Sequence, residues 1–205
     1  MERVRLGIMG GTFNPIHLGH LMIAEEARQV FDLEQVLFIP SYMTPNKEVH
    51  GATAQQRLEM TRLATADNPY FTVSDLEMHR QGPSYTVDTI HYLQDHYGDR
   101  YSFYFISGTD TIQDLHNWNQ PEEILRLCHV IGATRPDGTA GIDPVIESFG
   151  ALGKHILRLP VPTMDISSTE LRRRLQTGRS VRYMIPPSVL DYIRKNGIYQ
   201  CTVQN

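Results

Sequence analysis

Short apolar runs of strand length alternate with helix-length segments along this chain. We predict buried strands at residues 4–9, 35–40, 71–73, 101–106, 129–133 and 156–159. Helical spacing or helix boundary signals predict helices at 18–31, 54–67, 84–97, 121–127, 142–152, 168–176 and 187–196. Strands separated by such segments imply parallel βαβ units with right-handed crossovers. The sequence therefore predicts a single doubly wound α/β domain over residues 1–205, with a mostly parallel sheet and helices on both faces.

The ligand site of such a sheet lies outside the carboxyl ends of the strands, at the point where the strand order reverses. Three polar or glycine-containing segments follow predicted strands, at residues 10–15, 40–41 and 107–110. We expect these segments to converge on one crevice. No linker or second domain is visible in the sequence.

The segment after the first strand combines glycines with two histidines. Gly10 and Gly11 are expected to end the strand and let the backbone approach a ligand, because they carry no Cβ. A glycine turn before a helix start offers free N–H groups to a phosphate. His17 and His20 would share a face in the first helical turn and stabilise negative charge there. Two surface histidines or a metal pair are the alternatives, although no Cys or carboxylate lies close by as a third ligand.

A second helix start, near residue 167, could hold another anion. Ser167 followed by Glu170 predicts a capping box. The hydroxyl and N–H groups of such a start can bind phosphate, and Arg172 could reach the same anion. The alternative is an ordinary helix N-terminus. We expect Arg173 and Arg174 on a solvated face, with Leu171 and Leu175 packed inward.

Composition narrows the class of protein. The chain has 19 basic and 23 acidic residues, a net charge of −4, which gives no overall attraction for nucleic acid or an acidic membrane. Its two cysteines, Cys128 and Cys201, form no disulfide framework, so we expect a reducing cytoplasm. The start lacks the apolar stretch of a signal peptide, and no run reaches transmembrane length.

Two motifs at opposite ends of the chain carry a family resemblance. Residues 11–15 (GTFNP) followed by 17–20 (HLGH) resemble the first signature of the HxGH nucleotidyltransferase superfamily. Residues 166–169 (ISST) with Arg172 resemble its second signature, ISSTxxR. The two signatures stand in the expected order, and the pair is more specific than either string alone. The superfamily implies a Rossmann-like domain whose C-terminal helices, about residues 167–197, complete the ATP site.

Further stretches resemble one branch of that superfamily, the bacterial nicotinate-nucleotide adenylyltransferases. Residues 40–47 are similar to a PxxxxPHK segment, and 82–89 (GPSYTVDT) resemble a GPSYTxDT segment that other HxGH transferases lack. Residues 106–110, 117–118, 183–186 and 192–199 are also similar, so the resemblance spans about residues 5–199. Asn14, Asn46 and Thr109 depart from the usual Asp, His and small residue.

The resemblance implies that ATP and nicotinate mononucleotide give deamido-NAD and pyrophosphate, with Mg²⁺ bound through the ATP phosphates and no protein metal ligands. The nucleophile would be the mononucleotide phosphate, already an anion, and no GxSxG motif is present. The resemblance assigns catalysis to His17, His20 and Arg172. It assigns ATP binding to Gly10, Gly11, Thr12, Phe13, Gly108, Asp110, Ile166, Ser167, Ser168 and Thr169. It assigns mononucleotide binding to Lys47, Tyr85, Thr86 and Trp118, the last as a stacking platform.

The sequence is also compatible with other functions. A sister enzyme could use nicotinamide mononucleotide or phosphopantetheine as the acceptor. A non-catalytic nucleotide sensor could share the fold, although it would be expected to have lost a histidine or the arginine. A nucleic-acid-binding module is the weakest alternative, given the acidic balance. The sequence is compatible with a homo-oligomer and does not distinguish it from a monomer.

Overall fold

Six parallel strands form a single sheet. The computed structural model describes residues 3–45, 48–80, 82–134, 141–162 and 164–200. The strands are β1 (Val4–Gly11), β2 (Gln35–Pro40), β3 (Phe71–Val73), β4 (Tyr101–Gly108), β5 (His129–Thr134) and β6 (Ile156–Pro160). Their order is β3-β2-β1-β4-β5-β6, so the direction of winding reverses between β1 and β4. This is the order of a doubly wound dinucleotide-binding sheet, and the predicted fold class is confirmed.

Helices cover both faces of the sheet. They are α1 (Leu18–Val30), α2 (Ala54–Thr65), α3 (Thr86–Tyr97), α4 (Thr109–Gln113), α5 (Pro121–Leu127), α6 (Asp143–Ser148), α7 (Ser168–Gln176) and α8 (Pro187–Lys195). Helices α1, α2, α7 and α8 contribute to one apolar core, and α3 to α6 contribute to the other. Strand β1 contributes side chains to both cores: Met9 packs with α1, α2, α7 and α8, and Leu6 and Ile8 pack with α3 to α6. Burial on both faces explains why the strands read as continuous apolar runs.

The sequence predicted that Gly10 and Gly11 would end the first strand, and this prediction is wrong. Strand β1 continues through Gly11, which pairs with Pro40 of β2. A Cβ at Gly10 would lie 3.1 Å from the Phe105 ring, and one at Gly11 would lie 3.1 Å from the Phe13 ring. The glycines therefore make room for aromatic rings beneath the site. The left-handed turn falls on Phe13, with φ of 48°.

Two helix predictions also need correction. Helix α3 begins at Thr86 after the N-cap Tyr85, and Ser84 is not the cap, because its hydroxyl accepts a hydrogen bond from the N–H of Tyr42. The helix predicted at 142–152 is divided into α6 and a 3₁₀ segment, Gly150–His155. Most of the loop predicted at 135–141 lies outside the described residues.

The packing of the 3₁₀ segment against α6 depends on a missing side chain. A Cβ at Gly153 would lie 2.1 Å from the carbonyl oxygen of Ile146, a backbone atom that cannot move aside cheaply. We expect Gly153→Ala to lower the free energy of unfolding by about 1–3 kcal/mol, the range for overpacking a core. Urea denaturation measures this loss. Gly141→Ala is the control, since its nearest neighbour would be 3.9 Å away; equal stability of the two variants would contradict the prediction.

Candidate active site

The carboxyl ends of the strands border one cavity of about 1300 Å³. It lies at the reversal of winding between β1 and β4, as expected for this fold. All of the sequence-predicted site residues except Lys47 line it: Gly10, Gly11, Thr12, Phe13, His17, His20, Tyr85, Thr86, Gly108, Asp110, Trp118, Ile166, Ser167, Ser168, Thr169 and Arg172. Lys47 and the neighbouring Asn46 lie outside the described residues. The early and late motifs therefore share a single cavity.

Helix α7 attaches directly to the loop that precedes α1. The Ser168 hydroxyl donates to the carbonyl oxygen of Pro15 at 2.9 Å, and Nη1 of Arg172 donates to that of Asn14 at 2.8 Å. The same guanidinium donates from Nη2 to the Thr169 hydroxyl at 3.2 Å. These bonds bring the start of α7 beside the histidine loop, which joins the two ends of the sequence at the site.

The loop after β1 presents unused N–H donors. No described residue accepts a hydrogen bond from the N–H of Thr12 or Phe13, although both residues line the cavity. The Thr12 carbonyl, in contrast, accepts a bond from Arg57 at 2.7 Å. A stretch of backbone whose acceptors are occupied and whose donors are free is suited to an anion.

The two histidines lie side by side at the start of α1. His17 is the N-cap residue, just before the helix, and His20 is in the first turn. Their ring centroids are 3.7 Å apart, and the His17 N–H donates to Nδ1 of His20 at 3.2 Å. A neutral His20 therefore carries its proton on Nε2, which leaves that N–H as a donor. The Phe13 ring meets His20 edge-on at 5.2 Å and fixes it from the core side.

Burial keeps both imidazoles uncharged in the free protein. It lowers the pKa of His17 to about 4, from an ordinary value of 6.5. Burial also lowers the pKa of His20 well below its usual range, and the neighbouring His17 lowers it further. An anion beside these rings would raise both pKa values. The pair can thus gain positive charge when negative charge arrives.

Helix α7 begins with a cap that differs from the predicted capping box. The Ser167 hydroxyl accepts from the N–H of Glu170 at 3.2 Å, as predicted. The Glu170 carboxylate does not return to Ser167; it binds Arg173 and Arg174, whose bonds hold its pKa at about 2. No described residue accepts from the N–H groups of Ser168 and Thr169, so both remain available to a ligand.

Helix α3 offers a second set of free donors on the opposite side of the cavity. Its N-cap, Tyr85, makes no side-chain cap. Within the described part of the chain, the N–H groups of Thr86, Val87 and Asp88 have no acceptor. The helix N-terminus also carries partial positive charge. A carboxylate at this end would find hydrogen-bond donors and a favourable potential.

Trp118 lines the cavity and also packs against the core. It is half-buried, and its ring meets the Phe105 ring edge-to-face at 5.5 Å. Its position is therefore compatible with the predicted stacking role and with a packing role in the core. Asp110 is exposed in the first turn of α4, where Gly108 is the N-cap residue.

Three features of the site were missed by the sequence analysis. Hydroxyl groups of Thr12, Thr44 and Ser41 form a chain, with distances of 2.9 and 2.8 Å. Glu77 is buried at the cavity wall, where its carboxylate accepts from Thr89 and Arg80. Arg57 reaches the loops from behind. Each depends on contacts between distant positions, which no local pattern reveals. The one available signal was the position of Ser41 directly after strand β2, at the edge of the sheet where a ligand site was expected.

Two features are absent from the described residues. No group of three or more His, Cys, Asp or Glu side chains among them is arranged to hold a metal ion. No helix in that part of the chain is both long enough and apolar enough to cross a membrane.

Comparison with known proteins identifies first a class and then a family. Residues 8–174 match the cytidylyltransferase-like family model, which makes this chain a nucleotidyltransferase. Curated relatives named as probable nicotinate-nucleotide adenylyltransferases include one from Herpetosiphon aurantiacus, 45% identical with 95% of this chain and 98% of the relative covered. Another, from Moorella thermoacetica, is 45% identical with 96% and 92% covered. The chain therefore belongs to the nicotinate-nucleotide adenylyltransferase family.

A solved structure agrees with this fold. The nicotinic acid mononucleotide adenylyltransferase of Plasmodium falciparum, complexed with NaAD, superimposes with a TM-score of 0.80. The two chains are 23% identical, and the match covers 96% of this chain and 98% of that one. At this identity the likeness shows the fold alone.

The lowered histidine pKa values predict a pH dependence. Protonation of His17 is disfavoured in the folded protein, so the stability that it contributes is complete above about pH 6.5 and is lost as the pH falls toward 4. We expect its ring to titrate near pH 4 in the ATP-free protein and at higher pH with ATP bound. Ring NMR signals measure both midpoints; a midpoint near 6.5 without ATP would contradict the burial argument.

Gly19 sets the position of the His17 ring. A Cβ at Gly19 would lie 3.1 Å from Nδ1 and 3.2 Å from Cε1 of that ring, so the imidazole must shift. We expect Gly19→Ala to lower kcat by about tenfold, because displacements below 1 Å already reduce rates. Thermal unfolding should show equal or greater stability, since Ala favours a helix by up to ~1 kcal/mol. An unchanged kcat would show that the ring position is not critical.

Proposed function

We propose that this protein transfers the adenylyl group of ATP to nicotinate mononucleotide, giving deamido-NAD and pyrophosphate, in NAD biosynthesis. The observation that carries the proposal is the convergence of three donor sets on one cavity. The starts of α1 and α7 meet around one anion site, and the start of α3 faces the same space. Relatives of more than 40% identity over nearly the whole chain bear the name of this activity.

The triphosphate of ATP lies between α1 and α7. His17 and His20 donate to its oxygens and gain charge as the leaving pyrophosphate develops. Arg172 and the N–H groups of Ser168 and Thr169 bind the β- and γ-phosphates from the other side. Gly108 and Asp110 border the nucleoside, with Asp110 accepting from a ribose hydroxyl.

The transfer step needs no activated side chain. The 5′-phosphate oxygen of the mononucleotide attacks the α-phosphorus in line, and the bond from that phosphorus to the bridging oxygen of pyrophosphate breaks. The Thr12 hydroxyl and the free N–H groups of Thr12 and Phe13 hold the reacting phosphate. Catalysis is positioning plus stabilisation of charge, as in other phosphoryl transfers.

ATP enters as its Mg²⁺ complex. The groups that face the triphosphate are neutral imidazoles, a guanidinium and N–H donors, and none of them is a carboxylate of the kind that binds Mg²⁺. The phosphate oxygens and water would therefore hold the metal. The positive charge that it would supply adds to the role of Arg172 in binding pyrophosphate.

The pyridine ring lies at the start of α3. Its carboxylate accepts from the free N–H groups at Thr86 and beyond, while Tyr85 borders the ring and Trp118 stacks on it. Lys47 stays predicted for the mononucleotide phosphate. Free N–H donors favour the acid over the amide, because a carboxamide would turn a donor NH₂ group toward some of them. A cytoplasmic location also stays a prediction, and a homo-oligomer remains compatible with the sequence.

An acceptor panel tests the proposal. Pyrophosphate release is measured with MgATP and nicotinate mononucleotide, nicotinamide mononucleotide or phosphopantetheine. We expect the nicotinate compound to give the highest kcat/KM, and His20→Ala to reduce it by about 100-fold or more, the scale of one transition-state donor. Higher turnover with another acceptor would assign the chain to a sister activity. No turnover with any acceptor would favour a nucleotide sensor.

Trp118 is expected to act on the mononucleotide alone. Trp118→Ala should raise the KM for nicotinate mononucleotide by about tenfold, within the ~1–3 kcal/mol of base–aromatic stacking, and leave the KM for ATP unchanged. Trp118→Phe keeps an aromatic face and should recover most of the loss. Steady-state kinetics measures both constants. A Trp118→Ala enzyme with the parental KM for the mononucleotide would leave Trp118 with a packing role only.

A further inference from the structure

Arg57 is a buried cation that does not line the cavity. It lies on α2 with 1% of its surface exposed. Its Nη1 donates to the carbonyl oxygen of Thr12 at 2.7 Å, and its Nη2 donates to that of Tyr42 at 3.0 Å. One rigid guanidinium therefore holds the loop after β1 and the loop after β2 at the same time.

The same two loops are joined a second time, on the cavity side. The Thr12 hydroxyl is 2.9 Å from that of Thr44, which is 2.8 Å from that of Ser41. All three residues line the cavity. The guanidinium fixes the backbone spacing behind this hydroxyl chain, so its loss would disturb groups that face the substrates.

The loop after β2 continues the connection to the start of α3. The N–H of Tyr42 donates to the Ser84 hydroxyl at 3.1 Å, and the N–H of Ser84 donates to the carbonyl of Met43 at 2.8 Å. Ser84 lies two residues before α3. A continuous set of bonds thus runs from Thr12, on the phosphate side, through Arg57 to the helix start proposed for the pyridine ring.

A structural role alone is a poor account of this arginine. No described carboxylate forms an ion pair with it, and its Nε has no partner. Burial lowers its pKa, which reports the cost of keeping the charge out of water. A buried cation without a counter-charge is expensive, and an apolar side chain of similar size would often stabilise the fold more. A functional need for the spacing of the two loops, or for a positive charge behind them, would account for this arginine.

We propose that Arg57 is a positioning residue for adenylyl transfer, which sets the spacing between the ATP loop at Thr12 and the mononucleotide side at Tyr42 and Ser84. This inference rests on the proposed function. The guanidinium fork can donate to two carbonyls at once, whereas a lysine would donate from a single flexible nitrogen. Its positive charge also lies behind the loop that receives the phosphates.

The kinetic test compares Arg57→Met and Arg57→Lys with a matched control. Met60→Ala alters a residue of the same helix that has 0% exposure and lies in the apolar core, so it should lower the Tm, although the Met60 side chain makes no hydrogen bond to either loop among the described residues. At a temperature well below every Tm, we expect Arg57→Met to lower kcat by about 10–100-fold. The kcat of Arg57→Lys should lie between those of Arg57→Met and the parent, and the kcat of Met60→Ala should stay within about twofold of the parent. Equal kcat values for Arg57→Met and Met60→Ala would overturn the proposal.

A double-mutant cycle tests whether Arg57 acts through Thr12. If it does, Arg57→Met combined with Thr12→Val should be no slower than the slower single variant, because the second change removes a group that is already misplaced. Multiplying losses in kcat would mean independent roles and would contradict the proposal.

Hydrogen exchange separates this proposal from the function on which it rests. In substrate-free protein, the bonded amides of Ser41, Tyr42 and Ser84 should exchange faster in Arg57→Met than in Met60→Ala. Unchanged exchange at these amides would refute the connection between the loops even if the enzyme is active. Faster exchange in a protein inactive with every acceptor would support the connection and reject adenylyl transfer.

Discussion

The site depends on how the backbone carbonyls of the loop before α1 are occupied. Those of Thr12, Asn14 and Pro15 accept bonds from Arg57, Arg172 and Ser168. The acceptors of the loop are therefore used by side chains from distant parts of the chain, while the N–H groups of Thr12 and Phe13 have no acceptor among the described residues. An anion receptor results without any charge on the loop itself.

The fixed positive charge of the site is correspondingly small. Burial holds the two imidazoles neutral, and the helix starts contribute only partial charges. Arg172 is half-buried, and among the described residues that line the cavity it is the one with a permanent positive charge. Much of the positive potential appears only when a bound anion raises the histidine pKa values. Such a site therefore binds the more highly charged of two anions more tightly. Pyrophosphate, as the leaving group, is a highly charged anion of this kind.

The fold was largely predictable and the supporting contacts were not. Strands buried on both faces read as apolar runs, so their positions and parallel pairing followed from the sequence, and the two signature motifs line one cavity as expected. The helix predicted to begin at residue 84 begins at Thr86, and the Ser84 hydroxyl instead accepts a bond from Tyr42, 42 positions away. The strand end at Gly11 was missed because pairing with Pro40 is not a local property. Nothing in the local sequence distinguishes the buried Arg57 from an exposed charged residue of a helix.

The bond between Ser168 and Pro15 spans 153 positions of sequence. Helix α7 is therefore made after every strand of the sheet, and a chain that ends before it lacks the bonds from Ser168 and Arg172 to Pro15 and Asn14. The geometry of the site is completed only when α7 has been synthesised and has packed against this loop.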